Sequence, residues 1–279
     1  AAFLVRGSEG AVLVETGPMS TVDVLIGELR LRGYEPKDIS AVFLTHIHLD
    51  HAGAAGIFGE AGVPVHVHPK GAKHLVDPTR LIESARMVYG EQFDSLWGMM
   101  KAIPEELVVP VEDRELLSIG GLRIEVIETP GHAFHHHSYR IGESLFAGDA
   151  AGARVDRSGY LSVTSAPPQF HLSHTLASLE RLIEVESESL YLTHFGLVPD
   201  RKSHLRAYAE AVDLSAEFVR SRLEEGMDDE ALAVAYEAFQ LEQAFRLRVP
   251  RERWNALQAI NGTGMCADGI RIFWEREAE

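Results

Sequence analysis

Cysteine is nearly absent from this 279-residue chain: Cys266 is the only one, so no intrachain disulfide can form. That excludes the small disulfide-stapled scaffolds and makes a reducing cytoplasm the expected compartment. Long apolar runs are lacking too. No stretch approaches the roughly 20 apolar residues of a membrane-spanning helix, and no signal-peptide pattern is found at the start. Positive charge is in deficit, with 26 Lys and Arg against 42 Asp and Glu and a formal net charge of −16. Such a surface repels a polyanion and no Lys/Arg cluster offers a local exception, so neither nucleic acid nor a membrane is an expected partner. Internal repeats and low-complexity tracts are also missing. The sequence opens on "AAFLVRGSEG", in strand-like alternation and without Met, and is expected to lack a short N-terminal segment.

What is present fits a globular protein with a sizeable core: 46% of residues are hydrophobic and 24% charged. "AFLVRG" and "AVLVETG" read as strands, and Ser20 and Thr21 are expected to cap a helix running to about Arg32. "AVFLTH" is a short buried strand, "GAAGIFGEAG" a short helix and "VPVHVH" another strand. Residues 79–102 turn helical and rich in Met and aromatics. Strands resume with "ELLSIGG", "LRIEVIETPG", "HSYRIG" and "SLFAGDA", and a helix over about 172–185 leads to "SLYLTH". After residue 199 the pattern is helical over 201–225, 228–245 and 251–260, with "IRIFWERE" expected as a final strand. The domain reading is therefore a region over 1–199 of alternating strands and helices, and a mainly helical region over 200–279.

One stretch has no explanation in folding alone. "LTHIHLDHAG" places His46, His48, Asp50 and His51 directly after an apolar strand. Polar groups at a buried strand end must be hydrogen-bonded or coordinated. Imidazole with carboxylate suits zinc, manganese or iron, and two such ions need about six or seven protein ligands. Three further candidates sit just beyond apolar strands: His132 after "IETPG", Asp149 after "SLFAG" and His194 after "SLYLT".

In that order, "THIHLDHAG", "TPGH", "FAGD" and "LTHFG" resemble the signature of the metallo-β-lactamase-fold superfamily, over roughly residues 1–200. The resemblance implies an α/β fold, a four-layer αββα sandwich, with a mainly helical C-terminal region. Carried over position by position, it implies His46, His48 and His132 on one metal, Asp50, His51 and His194 on a second, and Asp149 bridging both. The expected cofactors are two divalent ions, zinc first, with manganese or iron as alternatives. The implied reaction is attack of a metal-bridging hydroxide on a thioester, lactone or other ester, with Asp50 orienting the nucleophile or receiving its proton. Glu15 stands in "VLVETG" where the family more often has Asp, a position that supports ligands rather than binding metal.

Within the superfamily, His48 separates the chain from flavodiiron relatives, which carry Glu there. "TPGHAFHHHSY" and "LTHFG" look most like prokaryotic zinc-dependent hydrolases of unassigned substrate, a glyoxalase II-like group, though that group's glutathione-binding residues are not recognisable. The rivals are a mononuclear iron enzyme like the persulfide dioxygenases and, with less support from the charge, a phosphodiesterase or nuclease. In "HHH" at 135–137, His136 is the candidate support for the ligands. His66, His68, His74, His171, His174 and His204 read as surface or hydrogen-bonded residues, and Tyr160 reads as core rather than as an oxyanion donor. The Met-rich and aromatic 79–102 segment is expected as core, as a lid over a small ester-like substrate, or as a homodimer surface.

Overall fold

The computed structural model describes residues 1–278. Contacts divide the chain into two compact units: Ala1–Glu128 with His135–Phe146, and Thr129–Phe134 with the chain from Ala147 onward.

The first unit begins with β1 (Phe3–Arg6), β2 (Ala11–Val14), α1 (Val22–Leu31), β3 (Ala41–Phe43), α2 (Leu49–Ala52), α3 (Ala55–Glu60) and β4 (Val65–Val67). It continues with α4 (Pro69–Val76), α5 (Thr79–Tyr89), α6 (Phe93–Leu96), β5 (Val108–Pro110), β6 (Leu116–Ile119), β7 (Leu122–Glu128), β8 (His137–Ile141) and β9 (Ser144–Phe146). A five-stranded sheet runs β1-β2-β3-β4-β5, antiparallel at β1/β2 and parallel thereafter. Its inner strands are buried on both faces, as parallel strands require. Leu13, Val42, Val65 and Val67 pack with Leu29 of α1, Phe58 of α3, Leu75 of α4 and Phe93 of α6. The opposite face meets the antiparallel meander β6–β9. There Phe43 of β3 stands edge-on to Tyr139 of β8, with ring centroids 5.2 Å apart, and Phe3 tilts against Phe146. Tyr139 also donates to the Leu44 carbonyl (2.8 Å), and burial raises its pKa, so the phenol stays a donor.

The second unit holds α7 (Leu172–Glu184), the hairpin β10 (Ser189–Leu192) and β11 (Gly196–Val198), and then α8 (Arg201–Glu224), α9 (Asp229–Arg246), α10 (Arg251–Ile260) and α11 (Thr263–Ala278). Helix α11 packs on α9 and α8, and α7 on α8. Gln240 of α9 ties the layers together, accepting from the Tyr160 hydroxyl and donating to Ser215 of α8 (2.9 Å each).

Three local expectations are corrected. "IRIFWERE" is helical: Cys266, Ala267, Ile270 and Phe273 are buried at a helical spacing that an eight-residue window read as alternation. The 79–102 stretch is not one helix. It breaks at Gly90, where φ is +51°, and is irregular beyond Trp97. Ser20 and Thr21 do not cap α1 with their side chains. Thr21 holds φ −114° and ψ 13° rather than the extended backbone of a cap and bonds back to the Pro18 carbonyl, while Ser20 donates to Leu96 O.

The segment carrying His132 is seated against α7. Ser178 donates to Pro130 O (2.7 Å), and the Gly131 carbonyl accepts from His171 N. Gly131 has φ +140°, and a Cβ there would lie 2.6 Å from Thr175 Cα. Gly131→Ala is therefore expected to lower stability by about 2 kcal/mol or more, read from the midpoint of urea unfolding. An unchanged midpoint would show that this seat is not tight.

Candidate metal centre

In the first unit the site is organised by one buried carboxylate. Glu15 follows β2 in the left-handed region (φ +64°) and is fully buried, with its N–H donated to the Phe43 carbonyl (2.9 Å). A non-glycine residue held this way costs about 1–3 kcal/mol, so its surroundings must hold it there. The Glu15 Oε1 atom accepts from Thr45 Oγ1 and from His51 Nδ1 (2.9 Å), and Oε2 accepts from Thr45 N (3.3 Å). The Thr45 hydroxyl, having donated its proton to Glu15, accepts from His46 Nδ1 (3.1 Å). One carboxylate thus fixes the tautomers of two imidazoles and leaves the Nε2 lone pairs of His46 and His51 for coordination.

The donor atoms lie at spacings that one ion would bridge. His46 Nε2 is 3.0 Å from His48 Nδ1, and His51 Nε2 is 3.3 Å from Asp50 Oδ2. A tetrahedral zinc with bonds of about 2.0–2.1 Å sets neighbouring donors roughly 3.3 Å apart. The short helix α2 gives this packing: His48 ends the extended run, Asp50 and His51 fall in the first turn, and the Thr16 hydroxyl holds the His51 carbonyl (2.9 Å).

His136 is buried against His46, with ring centroids 5.0 Å apart and nearly parallel planes. His135 stands edge-on to His48 at 5.8 Å, a neighbour that the sequence did not single out within the "HHH" run. His137 instead packs on His68, which bonds to Glu128, and His66 stacks on Phe43 between the sheets, where burial lowers its pKa.

In the second unit His132 Nδ1 donates to the Thr164 carbonyl (2.8 Å), again leaving Nε2 as the donor to a metal. The two oxygens of Asp149 face different imidazoles: Oδ2 is 3.6 Å from His132 Nε2, and Oδ1 is 3.4 Å from His194 Nε2. Thr164 also donates its hydroxyl to the Asp149 carbonyl (2.7 Å) and is itself held by Tyr208 (2.9 Å). Thr164 is a support that the sequence reading missed. It acts through a backbone carbonyl 32 residues from His132, and no residue type advertises that. Tyr160 gives its hydroxyl to Gln240 in the core, as its core reading expects.

Of the seven residues singled out from the sequence, the first unit brings together His46 with His48 and Asp50 with His51, and the second unit brings His132, Asp149 and His194 together. The donor chemistry and the spacings within each unit fit divalent zinc, manganese or iron.

The sequence model of the metallo-beta-lactamase superfamily matches residues 1–194, and the chain belongs to that superfamily. The metallo-beta-lactamase fold-containing protein ST1585 of Sulfurisphaera tokodaii is 32% identical over 171 residues, which is 59% of this chain and 64% of the relative. The crystal structure of ST1585 aligns with a TM-score of 0.61 at 27% identity, covering 77% of this chain and 79% of that one. The probable metallo-hydrolase MJ0888 of Methanocaldococcus jannaschii is 31% identical over 148 residues, 53% of this chain and 65% of the relative. An N-acyl homoserine lactonase of Bacillus thuringiensis is 24% identical over 238 residues, 75% of this chain and 85% of the relative. The matches to ST1585 and MJ0888 span just under two thirds of those relatives' lengths. The expectation of this α/β fold with a helical C-terminal region is met. Among the described residues no helix is long and apolar enough to cross a membrane.

Replacing Glu15 with an amide puts an N–H donor where Thr45 and His51 already donate. Glu15→Gln is therefore expected to weaken metal binding about 10–100-fold in a chelator-competition titration, with the far-ultraviolet circular dichroism retained. Unaltered affinity would mean that this network does not hold the ligands.

Proposed function

We propose that the protein is a dinuclear metal-dependent hydrolase of ester-like bonds, with a thioester, lactone or other ester of a small molecule as substrate. The observation that carries this reading is the split of the Asp149 carboxylate, one oxygen toward His132 and the other toward His194, as a bridge between two ions requires. In this reading His46, His48 and His132 hold one ion, Asp50, His51 and His194 hold the other, and zinc is the first choice. Such ions, when bound, acidify water to near-neutral pKa and polarise the oxygen under attack.

The chain's own groups do the rest. Glu15, through Thr45 and directly, keeps His46 and His51 with their Nε2 atoms presented. Thr164 does the same for His132. Asp50, beside His51, orients the nucleophile or takes its proton, and later returns it to the leaving group. His136, stacked on His46, limits rotation of that ring. No serine or cysteine nucleophile is required, and Cys266 is unsuited to the role, because burial pushes its thiol pKa up to about 11. The lactonase relative supports including lactones among the substrates. The net charge of −16 supports a small molecule over a nucleic acid.

Metal content and turnover test this together. Two ions per chain are expected, with chelator-sensitive hydrolysis of at least one of a thioester, a lactone and an ester probe. His132→Ala and Asp149→Asn are each expected to lose a metal and about 100-fold or more in kcat/KM. One iron per chain with oxygen uptake and no hydrolysis would replace this reading with the dioxygenase. Full activity in both variants would remove the proposed centre.

A further inference from the structure

The loop after Asp149 sets a cation beside the second unit's metal-ligand candidates. Arg154 donates its backbone N–H to the His194 carbonyl (3.1 Å), and Ala153 exchanges two hydrogen bonds with Ser162 (3.1 and 2.9 Å). The backbone at 153–154 is thus pinned on both sides, next to the residue whose imidazole faces Asp149. The Arg154 guanidinium carbon lies 4.8 Å from the ring centroid of Phe195, the residue directly after His194. An aromatic face at that distance attracts the cation while stripping part of its water.

Two features of Arg154 bear on its role. Its Nε, like that of Arg222, is buried with no hydrogen-bond partner. Among the described residues no carboxylate lies within ion-pair distance of it, whereas Arg220, Arg222, Arg246 and Arg271 each pair with an acidic side chain. Burial lowers the Arg154 pKa and Asp156 opposes the shift from a distance, but a guanidinium stays charged throughout the working range. Arg201, the other buried arginine without an acidic partner among the described residues, is satisfied by the Leu182 and Ile183 carbonyls. Arg154 has an unpartnered Nε as well as no acidic partner, which suits it to an anion supplied from outside.

Charge matching selects the anion. The adjoining helix α8 presents His204, which donates from Nε2 to the Ala151 carbonyl (2.8 Å), and burial pushes its pKa down to about 4. His204 is therefore neutral at physiological pH, and Arg154 supplies one positive charge rather than sharing the load with a second cation. A single guanidinium fork balances one carboxylate through two parallel hydrogen bonds. A phosphate monoester, with roughly 1.5–2 negative charges, would be left under-compensated.

We infer that Arg154 is a specificity-determining residue that receives a carboxylate on the substrate, so that the preferred ester-like substrate carries a free carboxylate. This rests on the hydrolase reading for its reaction but not for its binding site. The test uses the full-length, metal-loaded protein, its Arg154→Gln and Arg154→Lys variants, and two p-nitrophenyl esters of equal chain length, one ending in a carboxylate and one in a methyl group. The ratio of kcat/KM for the carboxylate ester over the neutral ester is expected to fall about tenfold or more in Arg154→Gln, mainly through KM. Arg154→Lys is expected to restore part of that ratio, and metals per chain are expected to match the parent in both variants.

Calorimetric titration with glutarate, against its neutral diamide, reads the same contact without turnover. Glutarate binding that depends on Arg154, in a protein that hydrolyses no thioester, lactone or ester probe, would sink the hydrolase reading and leave this one standing. Hydrolysis with a ratio and a glutarate affinity indifferent to Arg154 would overturn this inference and leave the hydrolase reading intact. A phosphate-ended ester gaining more from Arg154 than the carboxylate ester would overturn the choice of anion. If neither hydrolysis nor glutarate binding is seen, both readings fall.

Discussion

The buried carboxylate of Glu15 is the interaction on which the first unit's candidate metal ligands depend. It is fully enclosed and accepts from the Thr45 hydroxyl, the Thr45 amide and the His51 ring. A carboxylate buried without such donors would be protonated or would unfold its surroundings. With them, each charge-assisted bond contributes about 1.5–3 kcal/mol and fixes which ring nitrogen carries the proton. The two histidines are therefore oriented before any ion arrives, and the desolvation and backbone strain of Glu15 are offset by bonds that serve the site directly.

The second unit uses a different device for its own candidate ligands. There a main-chain carbonyl, that of Thr164, holds His132, and Thr164 is in turn fixed by Tyr208 from α8. Gly131 lets the preceding turn lie against α7 at a distance that a side chain would not tolerate. Each unit thus arranges its own donors with its own supports. Zinc-type coordination rewards this, because an ion binds most tightly where the ligands need no rearrangement.

The candidate ligands stood out in the sequence because their surroundings are so unlike them. His46, His132, Asp149 and His194 each stand just past an apolar strand, where a polar side chain needs a reason to be. The strands themselves were legible from short apolar runs and glycine-rich turns. The supports were less visible. Glu15 could be placed only by its resemblance to a supporting position, and nothing in "VETG" reveals a left-handed backbone or its aim at His51. Thr164 contributes a carbonyl, which every residue has. Arg154 looked like any loop arginine until the bond to the His194 carbonyl and the ring of Phe195 gave it a place. The error at α11 has a physical cause as well: "IRIFWERE" satisfies a period of two over eight residues, while burial of Cys266, Ile270 and Phe273 follows a helical stripe that begins before that window.

Anomalous diffraction from a crystal of the zinc-loaded protein tests the central claim most directly. Two peaks about 3.5–4 Å apart are expected, both in contact with Asp149, one reached by His46, His48 and His132 and the other by Asp50, His51 and His194. A single peak, or peaks that leave Asp149 and the Glu15-supported histidines without metal, would contradict it.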